Sequence, residues 1–168
     1  LSTAVRGFFL NGGSRCYVVA IGPDEPVEAG HEVLERIDEV AIVAAPGYVG
    51  PAAYEAVRAH CETLGDRVGI VDPPETVEHL RSLTVVATEG GPSGRRRAGA
   101  EEGGEEGATG SPPGVRPADS SFLALYYPWI LVDDPLATRR SPETRAYVPP
   151  SGHLAGVWSR TDATHGVH

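Results

Sequence analysis

Short apolar runs alternate with helical patterns along the first half of the chain, and this alternation constrains the fold most. The runs Cys16–Ile21, Val40–Ala45 and Val68–Val71 are rich in β-branched residues, and each is followed by a segment containing Pro. Continuous apolar runs of this length predict buried strands. Strands separated by helices predict βαβ crossovers and a largely parallel sheet. The sequence therefore predicts an α/β fold arranged as a three-layer sandwich.

Helical segments are predicted on either side of these strands. One runs from Ser2 to Leu10, with Ser2 or Thr3 as its N-cap and Asn11-Gly-Gly13 as its stop signal. Another runs from Pro51, a residue suited to the first helical position, to Leu64, where Gly65 ends it. Shorter pieces are a helix over Val33–Ile37, a helix capped by Thr76 that runs to about Leu83, and a possible strand over Leu83–Ala87.

The C-terminal part predicts one more strand and one more helix. Phe122–Tyr127 is the strand, and Trp129–Val132 is an extended apolar continuation of it. Asp133–Tyr147 is predicted as a loop. Ser151 is then expected to cap a helix that ends near Gly166.

The segment Thr88–Asp119 departs from this pattern. It consists mainly of Gly, Ser, Pro, Arg and Glu and has almost no large apolar side chain. Such a segment cannot offset its own ordering entropy, which predicts a disordered surface insertion at about 88–119 in a single domain, 1–168. Its Arg95-Arg-Arg97 run could bind an anion, but Glu101-Glu102 and Glu105-Glu106 neutralise that charge.

The charge balance bears on possible partners. The chain of 168 residues has a formal net charge of −9, and all 14 of its basic residues are Arg. An acidic chain is a poor match for nucleic acid, which needs a basic face. No apolar run approaches the roughly 20 residues of a membrane-spanning helix, so no membrane contact is expected of this domain. The absence of Met suggests that the chain is a fragment of a longer subunit.

Two cysteines, Cys16 and Cys61, both lie among apolar residues. Two cysteines do not make a disulfide framework, so we expect two buried thiols in a reducing compartment.

Three features of the sequence bear on a catalytic site. Neither a dinucleotide fingerprint, a phosphate-binding loop nor a Gly-x-Ser-x-Gly elbow occurs in the sequence. Ser151 and His153 are close in sequence, but successive helical residues point about 100° apart, so a nucleophile and base pair is not expected. Asp72 follows a strand at the edge where α/β enzymes place acids. Without a partner base, it is interpreted as a turn residue.

Candidate metal ligands are equally sparse. Asp162, His165 and His168 are spaced by threes, but Gly166 indicates that the helix has ended there. His60 and His79 are lone helix histidines and are interpreted as structural. The residues therefore predict no catalytic, cofactor-binding or metal site, no cofactor, and a protein that is not an enzyme.

The ordered segments, taken together, resemble the tail sheath proteins of contractile phages and related injection systems. The resemblance covers nearly all of the chain outside Thr88–Asp119 and Asp133–Ala146. The matching motifs are Ala4–Phe9, Asn11–Gly13, Arg15–Val19, Val43–Gly47, Arg67–Pro74, Ala124–Ile130, Val148–Gly156, Arg160–Asp162 and Gly166–His168.

This resemblance implies a subtilisin-like fold used structurally. In the family, subunits form stacked rings around an inner tube, and contraction drives the tube through a target envelope. The implied partners are other copies of the subunit, the inner tube protein and the baseplate. The implied location is the bacterial cytoplasm during assembly and then a phage tail or phage-tail-like particle. Neighbouring family subunits exchange terminal strands, which are missing here, so this piece should not polymerise alone.

Two alternatives remain open, a hydrolase and a ligand-binding or regulatory α/β domain. A serine labelled by a fluorophosphonate probe would favour the first, and saturable stabilisation by a small molecule would favour the second. Tyr126, Tyr127 and Trp129 carry large apolar area, which core packing explains better than contact between subunits.

Overall fold

The computed structural model describes residues 1–22, 25–88, 113–134 and 144–166. None of the helices within these ranges has the length and apolar character needed to cross a bilayer. The helices are Ser2–Leu10 (α1), Val27–Leu34 (α2), Pro51–Leu64 (α3) and Ser151–His165 (α4), with a 3-10 helix at Leu80–Thr84. The strands are Ile42–Ala44 (β1), Val68–Val71 (β2), Leu123–Leu125 (β3), Ile130–Asp133 (β4) and Arg145–Val148 (β5).

The main sheet has three strands in the order β1-β2-β3, and both pairs are parallel. Ile42 lies opposite Val68, and Gly69 lies opposite Leu123. Helix α3 makes the crossover from β1 to β2, as a βαβ unit requires. The predicted α/β class and parallel pairing are therefore confirmed, whereas the three-layer sandwich stays a prediction. Strands β4 and β5 form a separate antiparallel pair.

Helix α3 has the bounds that the sequence predicts. Pro51 occupies the first turn, and Gly65 ends the helix in the left-handed conformation with φ 69°. Tyr54, Val57 and Cys61 are buried on the face of α3 that packs in the core against the sheet. Since burying one such side chain stabilises by about 1.5–3 kcal/mol, this face anchors the crossover to the sheet.

Helices α1 and α4 approach each other closely because small residues line their contact. Gly152 and Gly156 of α4 are buried, as is Ala4 of α1. A Cβ atom placed on Gly156 would lie 2.2 Å from the carbonyl oxygen of Phe8, and one on Gly152 would lie 2.7 Å from the Cβ of Ala4. The two backbones are therefore in direct contact, and side chains larger than hydrogen do not fit between them.

The predicted strand Cys16–Ile21 is wrong. The segment has no regular secondary structure, and Tyr17 and Val18 are 42% and 51% exposed. Side-chain hydrogen bonds fix the segment where a strand would have backbone hydrogen bonds. Arg15 and Tyr17 both donate to the Glu39 carboxylate. Cys16 is exposed as a result, so the prediction of two buried thiols holds only for Cys61.

Several predicted boundaries also shift. The predicted helix Val33–Ile37 is replaced by α2, which begins earlier, directly after Pro26 at its N-cap. The predicted helix from Thr76 is confined to the 3-10 helix, and the possible strand Leu83–Ala87 is only a single bridge between Val86 and Arg116. The predicted loop Asp133–Tyr147 contains most of β5, whose partner β4 is distant enough in sequence for local pattern to miss. Ser2 and Thr3 do not cap α1, since Leu1 occupies the N-cap position.

Most of the predicted insertion at 88–119, including Arg95–Arg97, lies outside the described residues. Its last part is within them and packs on the preceding chain. Arg116 donates a hydrogen bond from Nε to the carbonyl oxygen of Thr84 at 3.0 Å, and Pro117 is buried. The chain therefore rejoins the domain before β3.

The burial of α3 predicts unequal thiol reactivity. Burial raises the pKa of the Cys61 thiol to about 11, whereas Cys16 lies on the surface. We expect a thiol reagent at neutral pH to modify Cys16 in the native protein and Cys61 only after denaturation. Peptide mass spectrometry after iodoacetamide treatment checks this, and equal labelling of both cysteines in the native chain would contradict the placement of α3.

The α1–α4 contact predicts that Gly156→Ala destabilises the fold. Alanine normally favours a helix interior over glycine by up to about 1 kcal/mol. Here the added methyl meets the Phe8 carbonyl, so we expect a net loss of about 1–3 kcal/mol in the free energy of unfolding. Urea denaturation measures the change, with Thr161→Ala on the exposed face of α4 as the matched control. A neutral or stabilising Gly156→Ala would show that the helices separate without cost.

Candidate functional site

A buried carboxylate lies at the carboxyl end of β2, where α/β folds place functional acids. Asp72 is fully buried and accepts three hydrogen bonds. The Ser151 N–H donates to Oδ1 at 2.9 Å, and the Ser151 hydroxyl donates to Oδ2 at 2.6 Å. The Gly47 N–H donates a longer bond, 3.5 Å, to Oδ2. The carboxylate thus joins the loop after β1, the end of β2 and the start of α4.

The N-terminus of α4 is capped by Asp72. Ser151 is the first residue of the helix, Pro150 is at the N-cap, and no local side chain caps the helix. The prediction that Ser151 is the cap is therefore wrong, and Asp72 is more than the turn residue that the sequence indicated. A carboxylate at this position satisfies a free N–H and interacts favourably with the helix dipole.

The pKa of Asp72 reflects two opposing effects. Burial raises it, while the hydrogen bonds from Ser151 and Gly47 lower it, and the net shift is upward. The desolvation cost therefore exceeds the gain from the three donors, so the charged carboxylate is held at some expense to stability. Because the folded-state pKa is raised, Asp72 contributes most to stability at low pH and less as pH rises through that pKa.

The backbone that follows β2 is fixed by two aromatic side chains. Tyr54 of α3 donates its hydroxyl hydrogen to the carbonyl oxygen of Asp72 at 2.9 Å, and Trp129 donates from Nε1 to the carbonyl oxygen of Pro73 at 2.8 Å. Trp129 is half-buried and is not one of the buried core residues, so its established contact is the bond to Pro73. Tyr126 contacts Trp158 edge-on, whereas Tyr127 is 37% exposed and is not a core residue.

The Asp72–Ser151 pair does not have the geometry of a hydrolytic site. Both residues are fully buried, and the serine hydroxyl is bound to the carboxylate instead of an imidazole. The ring of His153 lies over Gly7 of α1, where a Cβ would come within 2.4 Å of it. A nucleophile also needs a path for substrate, and the fully buried Ser151 hydroxyl has none.

A stacked histidine pair lies elsewhere, between α2 and α3. The rings of His31 and His60 are 4.5 Å apart with an interplanar angle of 21°. Nearly parallel rings direct their nitrogen lone pairs along separate planes, so they cannot converge on one ion. Sequence reasoning considered His60 alone and missed His31, since only the packing of α2 on α3 brings the two together.

No cluster of metal-ligating side chains occurs in the part of the chain that the structure describes. Asp162 and His165 lie in the last turn of α4, and Gly166 follows the helix. His168 lies outside the described residues, and His79 is an exposed residue that precedes the 3-10 helix.

A groove of about 890 Å³ lies beside β1. It is lined mainly by apolar side chains of α2, β1 and the irregular segment that ends at Ile21, and also by α1 and α4. Along one side of the groove, the side chains of Val19 and Ile21 pack against Gly30 of α2. The volume of the groove falls in the range of small-molecule pockets. One of its walls, however, is the segment that ends at Ile21, which no sheet hydrogen bonds hold in place.

Solved structures with the same fold come from contractile sheaths. The chain is similar to the helical sheath of the anti-feeding prophage in the contracted state, with 22% identity over 98% of this chain, 36% of that chain, and a TM-score of 0.53. It is also similar to the PVC sheath complex of an extracellular contractile injection system in the contracted state, with 22% identity over 98% of this chain, 34% of that chain, and a TM-score of 0.58. The predicted resemblance is confirmed at the level of the fold.

The chain spans about a third of the length of the sheath chains that it matches. No protein-family model matches its sequence, and no curated protein does. At 22% identity the similarity establishes the fold and leaves the role of individual residues to the geometry described above.

The capping role of Asp72 predicts a graded response to substitution. Asp72→Ala leaves the Ser151 N–H and hydroxyl buried without partners, so we expect a loss of about 3 kcal/mol in the free energy of unfolding. Asp72→Asn keeps an acceptor for the Ser151 N–H and removes the buried charge, so its loss is about 1 kcal/mol. Chemical denaturation at neutral pH measures both values.

Asp119→Ala is the matched control, because Asp119 is exposed and makes only a surface ion pair with Arg116. Equal losses for Asp72→Ala and Asp119→Ala would rule out the capping role of the buried carboxylate.

Proposed function

We propose that this chain is the central block of a contractile sheath subunit, a structural protein that assembles with copies of itself around an inner tube. The observation that carries the proposal is the fold similarity, which extends over 98% of the chain in both sheath structures. Because the chain spans about a third of those chains, assembly belongs to the complete subunit.

In this proposal the sheath contracts and drives the tube through a target envelope. The partners are neighbouring sheath subunits, the tube protein and the baseplate, and the subunit assembles in the bacterial cytoplasm before it joins a phage tail or phage-tail-like particle. Both matched sheaths are in a contracted state. Contraction requires subunits that move as rigid bodies while the contacts between them rearrange.

The packing of the domain supports such a rigid role. The α1–α4 contact has no space for a methyl group at Gly152 or Gly156. Asp72 fixes the start of α4 to the end of β2 through bonds of 2.6 and 2.9 Å. A closely packed interior transmits force with little deformation, because its side chains have no room to rearrange.

A hydrolase is disfavoured by the burial of Ser151 and its bond to Asp72. The groove beside β1 is the observation that favours a ligand-binding domain instead. Experiment can distinguish a ligand-binding domain from a sheath subunit, since a ligand-binding domain shows saturable thermal stabilisation by a small molecule. A sheath subunit is expected to show neither that stabilisation nor labelling by a fluorophosphonate probe.

Coexpression of the complete subunit with its tube protein tests the proposal directly. We expect negative-stain images to show striated tubes with a sheath around an inner tube. This chain alone should give no tubes, because it spans only about a third of the sheath chains that it matches. Asp119→Ala should assemble like the wild type, and Asp72→Ala should reduce assembly in proportion to its loss of folded protein. A complete, folded subunit that forms no polymer with its tube protein would refute the proposal.

A further inference from the structure

The stacked histidines lie at the contact between α2 and α3. His31 of α2 and His60 of α3 are each only 6% exposed, and their ring centroids are 4.5 Å apart. Nδ1 of His31 and both ring nitrogens of His60 are buried without a hydrogen-bond partner among the described residues. Such a contact suits two neutral rings, because an imidazolium needs an acceptor or water for both of its N–H groups.

Charged groups act on both rings of the pair. Glu28 faces His31 from α2 and favours its protonation. Around His60, Glu35 and Asp66 favour protonation, while Arg67 opposes it. Arg67 is itself buried, and its guanidinium is bound to Asp66 and to the carbonyl oxygen of Leu34. The acidic groups thus act against Arg67 and against the mutual repulsion of the two rings, and burial is the largest influence on the pKa of both.

We propose that the His31–His60 stack is an acid-sensitive contact, in which neutral imidazoles hold α2 against α3 and protonation releases α2. Two imidazolium ions 4.5 Å apart would repel each other and would both lack water. Opening this interface relieves both penalties. The inference goes beyond the proposed sheath role and does not depend on it.

Helix α2 is the element that such a change would release. It has eight residues, Pro26 is at its N-cap, and no side chain caps it. Helices this short are marginal without tertiary contacts. The neighbouring segment before Gly22 forms no strand, so no sheet hydrogen bonds fix that segment beside α2. Proton access is also available, because His31 lines the groove beside β1.

The sign of the effect follows from the direction of the shifts. Burial lowers the pKa of His31 from 6.5 to about 4 and also lowers that of His60. The open state therefore binds more protons between these values, so stability of the contact is present above pH 6.5 and is lost as pH falls toward 4. From His31 alone, the opening equilibrium of α2 should rise roughly 20-fold between pH 7 and pH 5.

Hydrogen exchange of the α2 amides at pH 7 and pH 5 tests this inference. After correction for the intrinsic pH dependence of exchange, we expect the wild type to lose at least about 10-fold protection in α2 at pH 5, with a smaller change in α3. Replacing both histidines with phenylalanine, His31→Phe with His60→Phe, keeps stacked neutral rings and should abolish the change. His79→Phe is the control, because His79 is exposed and distant from the stack in sequence, and it should keep the wild-type response.

A second measurement covers the case in which the double variant does not fold. Imidazole proton shifts of the wild type, followed by NMR from pH 7.5 to 4, report the titration of His31 and His60 directly. Midpoints well below 6.5 that coincide with line broadening in α2 support the inference. Midpoints near 6.5, or unchanged α2 protection at pH 5, would overturn it.

Discussion

The Asp72 carboxylate at the start of α4 is the interaction on which the rest of the structure depends. It connects groups 79 residues apart in sequence, and all of its donors are backbone N–H groups or a serine hydroxyl. A buried carboxylate is stable only if such donors replace its water. The donors here come from two segments, so the charge is tolerated only when the loop after β1 and the start of α4 are both in place. That requirement ties the geometry of the sheet to the position of α4, and through α4 to α1.

The same interaction explains why an arrangement that resembles catalytic chemistry is structural. Parallel sheets place loops and helix N-termini at the carboxyl ends of their strands, which is why acids and hydroxyls meet there in enzymes. In this chain Asp72 meets Ser151 at that edge, but both oxygens of the acid are used by the protein itself. Tyr54 and Trp129 also bind the adjoining backbone carbonyls. The edge that enzymes leave open for substrate is therefore closed by packing.

Sequence reasoning succeeded where structure is determined locally. Pro51 and Gly65 mark the ends of α3 because each has a backbone preference that acts without partners. It failed where the outcome depends on distant partners. The Cys16–Ile21 run has the composition of a strand, yet strand formation needs a ladder partner, and Glu39 holds the segment by side chains instead. The capping role of Asp72 and the His31–His60 stack were also invisible, since each requires knowledge of which helix packs where.

The contacts around Asp72 are stronger than those around α2, so the domain has a strongly held side and a weakly held side. Around Asp72, charged and aromatic hydrogen bonds join β2, α3, α4 and the start of β4, and α1 contacts α4 without space for a methyl group. Around α2, Val27 and Leu34 pack against the core, and the polar contacts are a histidine stack without hydrogen bonds and one bond from Arg67 to the carbonyl oxygen of Leu34. The neighbouring segment before Gly22 forms no strand and exposes Tyr17 and Val18. Local opening proceeds from regions with few buried contacts and unpaired backbone. In the proposed sheath role, adjustment would begin at α2, because that side can open without disturbing the buried carboxylate.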